Sequence, residues 1–178
     1  MDEVRPGRCP ACKAPSRPAG GALGLHGHGL RERHQWGPVE PGAVSTLISI
    51  LLRRYRCRSC GAVVVVGPRG LVRRRLYSAG AIALALVLYG VADLSPRDVR
   101  HRISPLRIVG ATAAAGWASR RRWSRAVRGG RLFPIVRQLP ADAPLRQVAA
   151  RAATTLAAYA PGPGGLALES AAFLGASM

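Results

Sequence analysis

The chain has 178 residues, which gives room for one ordinary domain or two small ones. Lys plus Arg number 27 against 8 Asp plus Glu, a formal charge of +19 with a pI near 11.7, and this balance points to a polyanionic partner, either nucleic acid or an anionic membrane surface. All of the basic residues but Lys13 are arginine, whose guanidinium fork suits phosphate and guanine edges.

Residues 1–8 read as a flexible lead. Met1-Asp2-Glu3 is acidic and no apolar core follows before Cys9, so no signal peptide is expected and the protein is placed in the cytoplasm. In that reducing compartment paired Cys-x-x-Cys turns hold metal rather than disulfides. Two such turns, Cys9-Pro10-Ala11-Cys12 and Cys57-Arg58-Ser59-Cys60, contain every cysteine of the chain. Each puts two thiolates on one tight turn within reach of the same ion, and together Cys9, Cys12, Cys57 and Cys60 make a tetrahedral sulfur site suited to one structural Zn2+.

Residues 9–68 therefore read as a small β-hairpin zinc ribbon. Its strands are expected over the weak alternation at 25–33, the β-rich run 44–55 and the Val63-Val64-Val65-Val66 run closed by Gly67-Pro68. The spacer of 44 residues between the turns exceeds the roughly 15–20 of a compact ribbon, and an inserted hairpin accounts for it. His26, His28 and His34 lie in the spacer; four cysteines already close the site, so the histidines read as hairpin residues near the metal or a phosphate. A redox role for the cysteines lacks the βαβ context that thioredoxin-like chemistry needs.

Beyond the ribbon come Arg69, Arg73, Arg74 and Arg75, and then Ser78, an N-cap for a helix through about Tyr89. Residues 76–92 are 17 in a row without a charge, at the lower limit of a membrane span, but Gly80, Gly90 and two tyrosines favour a buried helix; a zinc-ribbon protein with one span there is the second reading. Ser95-Pro96-Arg97-Asp98 starts a short helix over 96–103, with a capping serine, proline at the first position and an acid near the positive end of the dipole. Ser104-Pro105 breaks it, and a third helical stretch is expected over 106–127, bent near Gly110 and Gly116.

The later part of that stretch holds two tryptophans and the arginines Arg120, Arg121, Arg122, Arg125 and Arg128. Three helices, the second short and the last arginine-rich, fit a helix-turn-helix domain over 69–135 whose final helix enters a major groove. Trp117, Arg121, Ser124 and Arg128 share one side by spacing, with Arg122 and Arg125 beside them; Trp117 and Trp123 read as core. These five arginines, with Arg73, Arg74 and Arg75, are the expected contacts to double-stranded DNA. Residues 136–160 contain an amphipathic helix with Leu145, Val148, Ala152, Leu156 and Tyr159 on one face, for packing or for a homodimer, and residues 161–178 begin Pro-Gly-Pro-Gly-Gly and read as a flexible tail. The fold class expected is α+β, a zinc ribbon followed by an all-α domain and a C-terminal helix.

Cys-Pro-x-Cys, then residues 26–33, then residues 53–61 around the second cysteine pair, then Arg75-Leu76-Tyr77-Ser78 before a helix, resemble the amino-terminal zinc-ribbon and helix-turn-helix region of bacterial insertion-sequence transposases. The sequence looks still closer to stand-alone proteins of that build encoded beside such elements, in which a Trp-x5-Trp segment followed by Gly-x-Leu-Phe-Pro is matched here by Trp117, Trp123 and Gly130-Arg131-Leu132-Phe133-Pro134. The resemblance covers residues 9–135 and implies DNA binding at element ends, in the nucleoid, with a transposase or integrase as partner. It does not imply strand transfer, which needs three carboxylates around two Mg2+ ions. The eight acids, Asp2, Glu3, Glu32, Glu40, Asp93, Asp98, Asp142 and Glu169, form no such set on a nuclease fold, so no catalytic domain is expected and the protein reads as an accessory factor or transcriptional regulator. A scaffold that binds RNA or protein is the remaining class.

Overall fold

A computed structural model of the chain describes residues 4–106, 117–162 and 164–178. Within them the fold is α+β, with strands β1 (Leu25–Gly37), β2 (Thr46–Cys57) and β3 (Val63–Val66) and helices α1 (Ala79–Gly90), α2 (Pro96–Ile103), α3 (Ala118–Arg128), α4 (Leu145–Ala157) and α5 (Leu168–Gly175). The chain divides into two compact units. The first runs through His34 and resumes over Ser49–Pro68; the second takes Gln35–Ile48, which includes the end of β1 and the start of β2, and Arg69–Met178.

The first unit is an antiparallel sheet in the order β1-β2-β3. β3 lies on β2 with Tyr55 opposite Val64 and Arg53 opposite Val66. The period of two along a strand then puts Tyr55 and Cys57 on the same face as Val64 and Val66, where they meet Cys9, Leu25 and Ala62. Val63 and Val65 turn outward and stay exposed. Only Cys9, Leu25, Tyr55 and Cys57 are fully enclosed in this cluster, a core too small to hold a sheet by hydrophobic burial alone.

The second unit is built around α1. Ser78 caps it, its hydroxyl accepting from the Ala81 N–H at 3.0 Å, and residues 79–88 are buried on every side. The charge-free run is thus a central helix of a packed unit, touching α2, α3, α4 and α5. At 12 residues it spans about 18 Å, well short of the roughly 30 Å of a bilayer core, and no helix among the described residues is long and apolar enough to cross a membrane.

Small residues let the helices touch backbone to backbone. A Cβ on Gly90 would lie 2.3 Å from the Ala150 nitrogen in α4, and one on Gly175 would lie 1.9 Å from the Leu156 carbonyl oxygen. α2 begins as its sequence requires: the Asp98 N–H donates to Ser95 Oγ, and that hydroxyl donates to Asp98 Oδ2 at 2.6 Å. α4 coincides with the apolar periodicity read over 136–160, burying Val148, Ala152 and Leu156, whereas Tyr159 lies beyond it and is exposed.

Two expectations meet the structure differently. The third helical stretch is described only from Ala118; residues 107–116, with the expected bends at Gly110 and Gly116, lie outside the described residues. The tail is not uniformly loose. After the Pro-Gly run it forms α5, which buries Ala171, Ala172 and Phe173. The Phe173 ring sits against Gly80 of α1, where a Cβ would be 2.7 Å away, so apolar residues beyond the turn signal found a docking surface.

All three tryptophans gather in this second unit. Tyr77 stands edge-on to Trp36, Trp117 and Trp123 with ring centroids 5.7, 5.7 and 5.0 Å apart, and its hydroxyl donates to Ser104 Oγ at 3.1 Å. Trp36 and Ser45 come from the hairpin tip: the Trp36 N–H donates to the Leu76 carbonyl at 2.8 Å, and the Ser45 hydroxyl to the Ile103 carbonyl at 2.7 Å.

Candidate metal centre and basic face

The two Cys-x-x-Cys turns have the same backbone. In the first, the Cys9 N–H donates to the Ala14 carbonyl at 2.9 Å and the Lys13 N–H to the Cys9 carbonyl at 2.8 Å; in the second, Cys57 pairs with Ala62 and Gly61 with Cys57, both at 2.9 Å. The residue after the second cysteine takes a positive φ in each, 64° at Lys13 and 73° at Gly61. Such a turn aims successive backbone N–H groups at the first sulfur of the pair. Cys9 receives those of Cys12 and Ala11, Cys57 those of Cys60 and Ser59.

These donors hold charge on sulfur. The Cys60 N–H, and after it the Ser59 N–H, bring the Cys57 thiol down from an ordinary 9.0 to about 6 against the opposing effect of burial, and the Cys12 N–H lowers Cys9 in the same way. Cys60 goes the other way. The Ala62 N–H favours its thiolate, but the facing Cys12 sulfur and burial outweigh that donor and push it up to about 12. Four sulfurs this close cannot all carry charge without a cation among them.

The chain brings the turns together through short backbone links. The Ser16 N–H donates to Gly7 and the Gly24 N–H to Ser16, both at 2.9 Å, and the Arg58 N–H of the second turn donates to Gly24 at 2.8 Å. Gly24 admits this crossing because a Cβ there would sit 2.3 Å from the Pro15 oxygen. As a result Cys9 Sγ lies 3.8 Å from Cys60 Sγ and Cys12 Sγ lies 3.7 Å from Cys57 Sγ, with all four sulfurs within 4.8 Å of one another. Thiolates about 2.3 Å from a central tetrahedral ion stand about 3.8 Å apart, whereas a disulfide would bring sulfurs to about 2.05 Å. All four cysteines are free, and together they could hold one metal ion.

The spacer histidines are not in this group, which consists of the four cysteines alone among the described residues. His34 Nδ1 is 3.0 Å from Ser49 Oγ across β1 and β2, and His26 is half-buried.

The expected DNA-contacting arginines separate into three kinds. Arg121, Arg122 and Arg125 are exposed on one side of α3, whose opposite side buries Trp123, Ser124 and Val127. Arg120 belongs to that buried side. It is 8% exposed, with its guanidinium 3.7 Å above the Tyr89 ring, and Arg146 lies over the same ring at 4.2 Å while donating to the Tyr89 carbonyl and pairing with Asp93. Arg128 is half-buried and donates through Nη2 to the Ala143 carbonyl. Arg73 and Arg74 are exposed and Arg75 is half-buried. The side shared by spacing among Trp117, Arg121, Ser124 and Arg128 is therefore not one surface, since Trp117 and Ser124 face the core.

The inward turn of Arg120 and the clamp of Arg146 on Tyr89 were missed in the sequence, although a signal existed. Arg120 stands three, four and seven residues before Trp123, Ser124 and Val127, on the stripe that the apolar residues mark as buried. No protein-family model, curated protein or solved structure matches this chain.

Proposed function

We propose that the protein is a zinc-stabilised DNA-binding protein, an accessory factor of a mobile element or a transcriptional regulator, without a catalytic step of its own. The observation that carries this reading is the row of exposed guanidinium groups on Arg121, Arg122 and Arg125, standing on a helix whose other side is locked into the core by Trp117 and Trp123. A helix anchored in this way presents its cations from a fixed platform, so less side-chain and segmental freedom is lost when they meet phosphates or base edges. The formal charge of +19 extends the same attraction over the whole chain.

The metal in this reading is Zn2+. Four thiolate donors favour a soft or borderline ion over Mg2+ or Ca2+, and a set of four closes the tetrahedron, leaving no position for water or substrate. The ion's part is to hold the first unit folded, and arginines of that unit, such as Arg54 and Arg56, add phosphate contacts. Two of the acids have other tasks: Asp93 pairs with Arg146, and Asp98 accepts from the hydroxyl of Ser95, the residue that caps α2.

Titration of a labelled duplex at several salt concentrations tests the proposal. Affinity should fall steeply with salt, and Arg121→Ala/Arg125→Ala should flatten the slope of log K against log[salt] by about 1.8, at about 0.9 for each phosphate no longer neutralised. Both residues are exposed, so the variant should keep its helical circular dichroism and its melting temperature. Wild-type affinity in that variant, at every salt concentration, would end the reading.

A further inference from the structure

We infer that the second unit carries a phosphate-binding notch where the end of α3 meets α4. It is lined by the guanidinium-bearing residues Arg128, Arg137 and Arg151, by Gln138, and by an apolar floor that includes Val136 and Val148. The three arginines come from α3, from the segment after Phe133-Pro134 and from α4, so the fold rather than a local charge run gathers them. No carboxylate is among the lining residues.

Like charges brought together repel, and an apolar floor strengthens that repulsion by lowering the local dielectric; both effects reverse sign when an oxyanion enters. Arg128 is ready for one. Its hydrogen bond to the Ala143 carbonyl fixes the guanidinium, so little rotamer freedom remains to be lost, and its Nε is buried with no acceptor. A phosphate oxygen supplies an acceptor to a cation that has one buried N–H to spare. The hollow is shallow and open, about 170 Å³ counted with its open mouth, so it offers a seat for part of one tetrahedral oxyanion and no enclosed pocket for a nucleotide.

The shared chemistry is a phosphate group, free or in a nucleic-acid backbone. Arg121, Arg125 and Arg128 follow one another at i, i+4 and i+7 along α3, which makes the notch the end of the exposed arginine row. The backbone source rests on the DNA-binding reading; the notch itself does not. In that source the notch seats one backbone phosphate and fixes the register of α3 without reading sequence.

The test uses the full-length, metal-loaded protein and the variant Arg137→Gln/Arg151→Gln, whose two sites are exposed and whose folding should be unaffected. Inorganic phosphate should produce a saturable shift of the Arg128 Nε–H resonance in the wild type, and saturation in the variant should need about tenfold more phosphate, the loss of at least one charge-assisted hydrogen bond. Against duplexes of unrelated sequence the variant should bind more weakly by a uniform factor, with a salt slope reduced by about 1–2. Absence of a saturable phosphate shift at Arg128, or the same saturation in both proteins, would overturn the notch. Phosphate saturation without DNA binding by either protein keeps the notch as a free-phosphate site and removes the DNA reading. DNA binding with phosphate response and slope both unchanged in the variant removes the notch and leaves the DNA reading standing.

Discussion

The two units of this chain solve the problem of staying folded by opposite means. The first has a sheet of three strands, but among the described residues its core cluster fully encloses just Cys9, Leu25, Tyr55 and Cys57, and two of those four are candidate metal ligands. The second buries the small and aliphatic residues 79–88 of α1 on every side, and brings helices close enough that Gly90 and Gly175 have no room for a Cβ. Where side chains are too few to offset the entropy of ordering the backbone, a cross-link must do it; where small residues let backbones approach, dispersion and burial suffice. Cysteines in one unit and glycines in the other therefore hold equivalent places.

Metal removal should separate the units most sharply. Structural zinc binds with about 10–16 kcal/mol in small modules, comparable to the whole stability of an ordinary domain, so a chelator in the presence of reductant should unfold the first unit and spare the second. Hydrogen exchange reads this directly: amide protection in β2 and β3 should vanish while α1 and α4 stay protected, and metal analysis of untreated protein should give about one zinc per chain. Acid should act in the same way. The folded Cys57 thiol sits at about 6 against an ordinary 9.0, so its contribution is complete above the ordinary value and is lost as pH falls through about 6, where metal release should set in. Protected β2 amides in metal-free protein would undo the contrast between the units, because the first would then have a core that its burial pattern does not show.

The converse perturbation belongs to the second unit. Gly175→Ala places a methyl group 1.9 Å from the Leu156 carbonyl oxygen, a backbone atom that can move only if α4 or α5 moves. The expected cost is about 1–3 kcal/mol, seen as a fall of several degrees in the melting of the helical signal, with zinc content unchanged. An unchanged melting temperature would mean that α5 is held loosely and that close backbone approach is not what stabilises the helices.

What could be read from the sequence divides along the same line. The cysteine spacing announced the four-sulfur cluster because a tetrahedral ion imposes a local rule on residue type and separation. Ser78 and Ser95 marked helix starts for an equally local reason, the need of free N–H groups for a side-chain acceptor. Interactions between distant segments left no such mark. Nothing near Trp36 in the chain indicates that it meets Tyr77 edge-on, or that the hairpin tip counts with the helices. Arg120 resembles its exposed neighbours in residue type, and only its spacing to Trp123, Ser124 and Val127 sets it apart from Arg121 and Arg122. Helix α5 was hidden behind Pro161-Gly162, a turn signal that marks a break in the chain and carries no information on the residues after it.

The smallest effect compares two positions within the first unit. Lys13 and Gly61 occupy the same place in the two turns, with φ of 64° and 73°. A side chain in this left-handed region costs about 1 kcal/mol, so Gly61→Ala should weaken the second turn by roughly that amount and lower metal affinity about fivefold. Lys13→Gly relieves the same strain but frees the unfolded chain by about 0.4–1 kcal/mol, and the two effects should nearly cancel. Competition with a chelator of known affinity measures both. If the metal sets the backbone of this unit, Gly61→Ala should cost no more than the low end of the range expected for Gly175→Ala in the other unit, and Lys13→Gly less; a tenfold or greater loss at Gly61→Ala would show that the turn's own conformational preference, and not the ion, decides whether it forms.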